Sequence, residues 1–252
     1  MQRYFVPEKN WHNHEVNISG DDAHHISKVM RYKEGSMIIC NHPNGRAAKC
    51  IITFVGQGDI TVQVQEWLKD NAELPVNVTI AQGLPKSDKF EYVLQKGTEL
   101  GAEAFIPFQA ARSVVVWDAK KAEKKMNRFS KIVKEASEQS HRNRIPELKP
   151  VLGIEELIEA SKQYDVKIFA YEEEAKVLEH QSFGKLVSTI EKGQNVLVCI
   201  GPEGGFSTDE VEKFKANDFY SVRLGPRILR TETAPLYVLA SISYHFEELR
   251  YL

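Results

Sequence analysis

The chain has 252 residues, 42% hydrophobic and 27% charged, with 33 Lys and Arg against 35 Asp and Glu. That apolar content supports a buried core and excludes a disordered polyelectrolyte. A formal net charge of −2, taken as a total, argues against a nucleic-acid partner. No run approaches the ~18 consecutive apolar residues of a membrane span, and the start, MQRYFVPEKNW, lacks the apolar core of a secretory signal. Cys40, Cys50 and Cys199 are few, odd in number and not in metal spacing. The expectation is a soluble, cytoplasmic protein with no disulfide framework, no metal and no membrane partner.

The first 72 residues read as short strands. Met37–Cys40, Ala47–Val55 and Ile60–Trp67 are apolar and β-branched, and turn chemistry at Asn41–Gly45 and Gly56–Asp59 separates them. Gly20-Asp21-Asp22 caps one predicted helix, on which Ala23, Ile26, Val29 and Met30 share a face. This predicts a small barrel with one helix, ending at the composition shift of Lys69–Pro75. Beyond it the pattern changes to strands alternating with helices. Val76–Ala81, Ala104–Pro107, Ser113–Val116, Val166–Ala170, Val196–Ile200 and Val222–Leu224 read as strands. Lys86–Leu100, Ala119 to about Ser140, Ile154–Ser161, Phe183–Glu191 and Thr233–Leu249 read as helices. The last turns Leu236, Leu239, Ile242, Phe246 and Leu249 inward. Such alternation predicts an α/β domain with a mostly parallel sheet covered on both faces.

The charges are not spread evenly along these elements. Residues 112–149 hold 11 basic and 5 acidic side chains, whereas residues 150–200 hold 5 basic and 9 acidic. The basic stretch is either a solvated helix face or a surface that displaces counterions from a nucleic acid.

Two strand-end loops look chemical. Ile200-Gly201-Pro202-Glu203-Gly204-Gly205-Phe206-Ser207 follows an apolar strand and precedes a helix capped by Ser207 or Thr208. It is either an ordinary strand-to-helix turn or a place where bare backbone meets a ligand. It is neither a dinucleotide fingerprint nor a Walker loop. The second loop, Leu224-Gly225-Pro226-Arg227-Ile228-Leu229-Arg230-Thr231-Glu232-Thr233-Ala234-Pro235, opens the final helix. Its charges are either an Arg–Glu surface pair or part of a pocket lined by Ile228 and Leu229.

Together these loops closely resemble the C-terminal signature of the 16S ribosomal RNA uridine-N3 methyltransferases (the RsmE family) of the SPOUT class. Arg3-Tyr4-Phe5, His24–Arg31, Lys96–Gly101 and Glu138–Ser140 followed by Arg142 also fit, so the resemblance runs the length of the chain. Met30 and Tyr32 depart mildly from the family pattern. The resemblance implies a PUA-like RNA-binding β-barrel (1–72) and a SPOUT methyltransferase domain (73–252) closed by a trefoil knot. It also implies a homodimer, S-adenosylmethionine as cofactor, and 16S ribosomal RNA of the small ribosomal subunit as partner. By motif position Ile200, Gly201, Pro202, Glu203, Gly204, Gly205, Leu224, Gly225, Ile228 and Leu229 surround the cofactor. Arg230 stabilises the negative charge on a uracil deprotonated at N3, and Glu232 either holds Arg230 or accepts the proton. Arg3, Arg31, Arg112, Arg142 and Arg144 are the candidate phosphate contacts. The competing readings are a SPOUT enzyme acting on transfer RNA or on a ribose 2′-oxygen, and an RNA-binding assembly factor without methyl transfer.

Overall fold

A computed structural model describes residues 1–171 and 182–249. The chain divides into two units, Met1–Glu73 with Ser137–Arg144, and Leu74–Ala136 with Ile145–Leu252.

The first unit is built on β1 (Arg3–Phe5), β2 (Trp11–His12), β3 (Glu15–Ser19), β4 (Met37–Asn41), β5 (Ala47–Val55) and β6 (Asp59–Trp67). They lie in the order β1-β4-β5-β6-β3-β2. β1 runs parallel to β4, and the other pairings are antiparallel. Alternation sends Val16 and Ile18 of β3, Cys50 and Ile52 of β5, and Ile60 and Val62 of β6 into one core with Tyr4 and Ile38. Strands that all bury one face against the same residues make the sheet an open barrel, and register shifts at Lys49/Cys50 and Ile52/Phe54 help it curve. Helix α1 (Asp21–His24) continues as a π-helical turn over His25–Val29. Ala23 and Ile26 are buried as predicted, but Val29 is 60% exposed and Met30 also faces outward. The Met30 N–H reaches back five residues to the His25 carbonyl, and the extra residue in the turn rotates the expected face.

Ser137–Arg144 belongs to this unit although the sequence places it behind the basic helix. The Arg142 carbonyl accepts from Arg3 Nη1 at 3.3 Å and from Asn41 Nδ2 at 2.7 Å. The Arg142 guanidinium is buried and ion-paired with Glu73. Asn143 accepts from the Ala72 N–H at 3.0 Å and donates to the Gly45 carbonyl at 3.1 Å.

The second unit carries β7 (Asn77–Gly83), β8 (Ala104–Phe108), β9 (Glu147–Leu148), β10 (Val166–Ala170), β11 (Asn195–Ile200) and β12 (Tyr220–Val222). Their order is β12-β10-β11-β7-β8-β9, parallel throughout. The helices are α2 (Lys89–Glu99), α3 (Ala119–Gln139), α4 (Ile154–Ala160), α5 (Phe183–Val187), α6 (Thr208–Ala216) and α7 (Ala234–Ser243). Val196, Val198 and Ile200 of β11 pack with Phe90, Val93 and Leu94 of α2 and Val238, Leu239 and Ile242 of α7. Leu197 and Cys199 enter a second core with Phe206 and with Val211 and Phe214 of α6. Burial on both faces is why β11 reads as an unbroken apolar run.

Three expectations change. Ser113–Val116 is irregular, with Val114 71% exposed; β-branched residues favour a strand only where a neighbour offers a surface to pack on. The helix from Phe183 ends at Val187, not Glu191. On the last helix Leu239, Ile242 and Phe246 are buried, but Val238 takes the inward place expected of Leu236, and Leu249 is exposed. All three cysteines are buried free thiols.

Candidate active site

Parallel sheets offer their carboxyl ends to ligands because the connecting loops converge there. The ends of the adjacent strands β7 and β11 and the loop after β12 meet at one buried junction. Gln82 Nε2 donates to Thr231 Oγ1 at 2.8 Å, and Thr231 Oγ1 donates to the Gly201 carbonyl at 2.7 Å. Gln82 Oε1 is buried and has no hydrogen-bond partner among the described residues. At Gly83 a Cβ would lie 2.6 Å from Pro202 Cδ and 2.7 Å from its nitrogen, so the glycine loop closes onto β7 only because no side chain stands there.

The glycine loop is held from its far end too. Ser207 is the N-cap of α6 in a capping box with Glu210. The buried Glu210 accepts from the Ser207 N–H at 2.7 Å and, through its other oxygen, from the Ala111 N–H at 2.8 Å. Arg112 Nη1 donates to the Gly204 carbonyl at 3.1 Å. On the open side Glu203 Oε1 accepts from the Lys86 N–H at 3.1 Å and from Lys89 Nζ at 2.9 Å. Lys89 Nζ also lies 3.3 Å from Glu232 Oε2, so one ammonium spans both loops. Burial pushes the Glu203 carboxyl up, but Lys89 and the backbone N–H groups of Glu203 and Lys86 outweigh it and hold it below its ordinary value. Lys89 is raised, chiefly by Glu203; burial opposes and Glu232 adds.

The predicted site residues divide by exposure. Ile200 and Leu224 are buried in the core, so they can offer a ligand backbone rather than side chain. Gly201 and Pro202 are buried beside Gly83; Glu203 and Gly204 are exposed. Gly205 and Gly225 take positive φ, 66° and 81°. Ile228 is 76% exposed, while Leu229 packs against the core. Arg230 is exposed and, among the described residues, has no side-chain hydrogen bond or ion pair; its carbonyl accepts from the Thr233 and Ala234 N–H groups. The expected Arg230–Glu232 pair does not form, because Glu232 turns to Lys89.

The candidate phosphate contacts also divide. Arg3 and Arg142 are buried, the first hydrogen-bonded to the Arg142 carbonyl and the second paired with Glu73, so neither presents a free guanidinium to RNA. Arg31, Arg112 and Arg144 are exposed, with Arg112 partly engaged by Gly204. Sequence reasoning missed Gln82, Lys89, Thr231 and Glu210. Gln82 carried a signal, a polar residue closing the apolar strand VNVTIAQ; Lys89 carried none. A separate cavity of about 510 Å³, lined by Gln109, Val116, Trp117, Met126 and Leu152, shares no lining residue with the two loops. Among the described residues no cluster of three or more His, Cys, Asp or Glu is placed to hold a metal ion.

Residues 72–243 match a family described as an RNA methyltransferase domain, and residues 18–65 match an RNA methyltransferase PUA domain. The chain is 49% identical over 253 residues to Ribosomal RNA small subunit methyltransferase E of Bacillus subtilis, covering 99% of each. It is 32% identical over 228 residues to the protein of the same name from Mycobacterium tuberculosis, covering 89% of this chain and 84% of that one. The solved structure of Ribosomal RNA small subunit methyltransferase E from Neisseria gonorrhoeae, bound to S-adenosyl methionine, matches with a TM-score of 0.84 at 28% identity over 98% of each chain. With one family model matching residues 72–243 and a full-length relative at 49% identity, this chain belongs to the ribosomal RNA small subunit methyltransferase E family of RNA methyltransferases.

Proposed function

We propose that this chain transfers a methyl group from S-adenosylmethionine to N3 of a uridine in 16S ribosomal RNA of the small ribosomal subunit. The observation that carries the reading is the junction of the two strand-end loops at Gln82, Thr231 and Gly201, with an uncommitted Arg230 in the second loop. The residues present fit the cofactor. A Cβ built at Gly205 meets nothing within 4 Å, and one at Gly225 meets only Tyr237 Oη at 3.7 Å, so bare backbone faces open space in both loops. Gln82 Oε1 at their junction is an acceptor with no partner among the described residues, and Leu229 and Ile228 supply apolar cover. When bound, S-adenosylmethionine supplies the electrophilic methyl group.

The chain's own work is to bind, orient and stabilise charge. Neutral uracil carries a proton on N3 and has no free in-plane lone pair there, so the reactive form is the anion. Its charge spreads onto the flanking carbonyl oxygens, where a guanidinium held in place stabilises it. Arg230 is assigned that role. Glu232, turned to Lys89, is assigned to fixing the loop rather than to proton transfer, so the N3 proton passes to solvent water. Arg31, Arg144 and the exposed Lys120, Lys121 and Lys124 of α3 supply phosphate contacts. A trefoil knot in the α/β unit and a homodimer belong to the same reading. So does work in the cytoplasm; no described helix is long and apolar enough to cross a membrane.

Mass spectrometry of nucleosides from 16S ribosomal RNA tests the proposal. Cells lacking the chain should lose N3-methyluridine, and supplying it should restore the nucleoside. An unchanged nucleoside profile overturns the reading.

A further inference from the structure

We infer that Lys89 is a positioning residue for methyl transfer: it joins the glycine loop to the Arg230–Glu232 loop and keeps Glu232 off Arg230. The inference rests on the function proposed above.

Lys89 is the first residue of α2, six positions beyond the Gly83–Pro202 contact, and Phe90, Val93 and Leu94 fix that helix in the core. Its ammonium therefore starts from a rigid base. Glu203 is fixed independently by the Lys86 N–H, which gives Lys89 a stationary anchor on one side. On the other side Glu232 Oε2 is buried and, among the described residues, has no hydrogen bond, and Lys89 at 3.3 Å is its ion-pair partner. A partly exposed ion pair adds little to stability, so bracing the fold is a weak explanation for an ammonium shared between two loops. The electrostatic consequence is more specific. Without Lys89, a half-buried carboxylate lies two residues from Arg230, a cation with no side-chain partner among the described residues. Pairing of the two would satisfy Glu232 and withdraw the guanidinium from the uracil. Lys89 prevents that capture.

The test uses the full chain, radiolabelled S-adenosylmethionine and small ribosomal subunits from cells lacking the enzyme. Lys89→Met should slow single-turnover methyl transfer about 30-fold at saturating substrates while S-adenosylmethionine affinity changes less than about threefold. Lys89→Arg should keep most of the rate. Lys89→Met with Glu232→Gln should recover about tenfold of the loss, since no carboxylate then competes for Arg230. Hydrogen exchange gives a readout independent of activity: Lys89→Met should raise amide exchange in both 203–205 and 228–232. Wild-type transfer by Lys89→Met, equal loss in the double variant, or unchanged exchange in either loop overturns the inference. If the wild-type chain itself methylates nothing, the functional reading falls, and exchange still decides whether Lys89 joins the loops.

Discussion

The segment Ser137–Arg144 in the first unit, which leaves the last turn of α3 for irregular chain, and the loop 225–233 in the second each carry two arginines. They use them in opposite ways. Arg142 is 2% exposed and locked onto Glu73, and its carbonyl serves Arg3 and Asn41. Arg230 is exposed, and the nearby carboxylate of Glu232 is turned to Lys89 instead. What separates the structural arginine from the one assigned above to catalysis is the commitment of the neighbouring carboxylate. Local sequence shows none of it.

The contrast is sharpest under substitution. Arg142→Met should destabilise the protein by about 2–4 kcal/mol in denaturant titrations, because it removes the buried guanidinium and leaves Glu73 only the Asn143 and Arg144 N–H groups. Its neighbour Arg144→Met should stay within about 0.5 kcal/mol of wild type. Arg230→Ala should reverse the pattern, leaving the melting temperature and S-adenosylmethionine affinity unchanged while methyl transfer falls about 10²–10³-fold. A stability loss in Arg230→Ala, or none in Arg142→Met, would erase the distinction.

Smaller effects probe the ties around the second loop. Gly83→Ala should cost about 1–3 kcal/mol, because its Cβ would press on the backbone of Pro202, and the loosened glycine loop should bind S-adenosylmethionine more weakly. Calorimetry reads both. The least effect is expected of Glu203→Gln, and its signature is in pH. Glu203 is held below its ordinary value, so its contribution to stability is complete above the ordinary carboxylate range and is lost as pH falls from there through the depressed value. The wild-type chain should therefore exceed Glu203→Gln in stability at neutral pH, and the gap should close on acidification. A gap independent of pH would remove the Glu203–Lys89 contact from the account.

Much of the second unit was legible because burial on both faces writes itself into composition. β10 and β11 read as apolar runs, and the Ser207 cap followed from the residues before α6. Three-residue β1 was invisible, since its pairing with β4 depends on residues 36 places away and not on local pattern. The two loops were found as motifs, but the Gln82–Thr231 bond joins residues 149 apart, and no periodicity reports such a contact. Adjacency misled twice. Arg230 and Glu232 suggested a pair that Lys89 prevents, and the Arg142-Asn143-Arg144 run read as one basic surface although its first member is buried. The total charge misled for a related reason: the exposed lysines of α3 are a local property that acidic residues elsewhere cancel only in the sum.

The inclusion of Ser137–Arg144 in the first unit bears on how the chain is made. A nascent polypeptide of 73 residues already carries all six strands of the barrel, but Arg3, Asn41 and Glu73 still lack the segment that satisfies them. That segment leaves the ribosome only after β7, β8, α2 and most of α3 have been synthesised. The first unit is thus begun first, but its completion waits on the synthesis of a large part of the second.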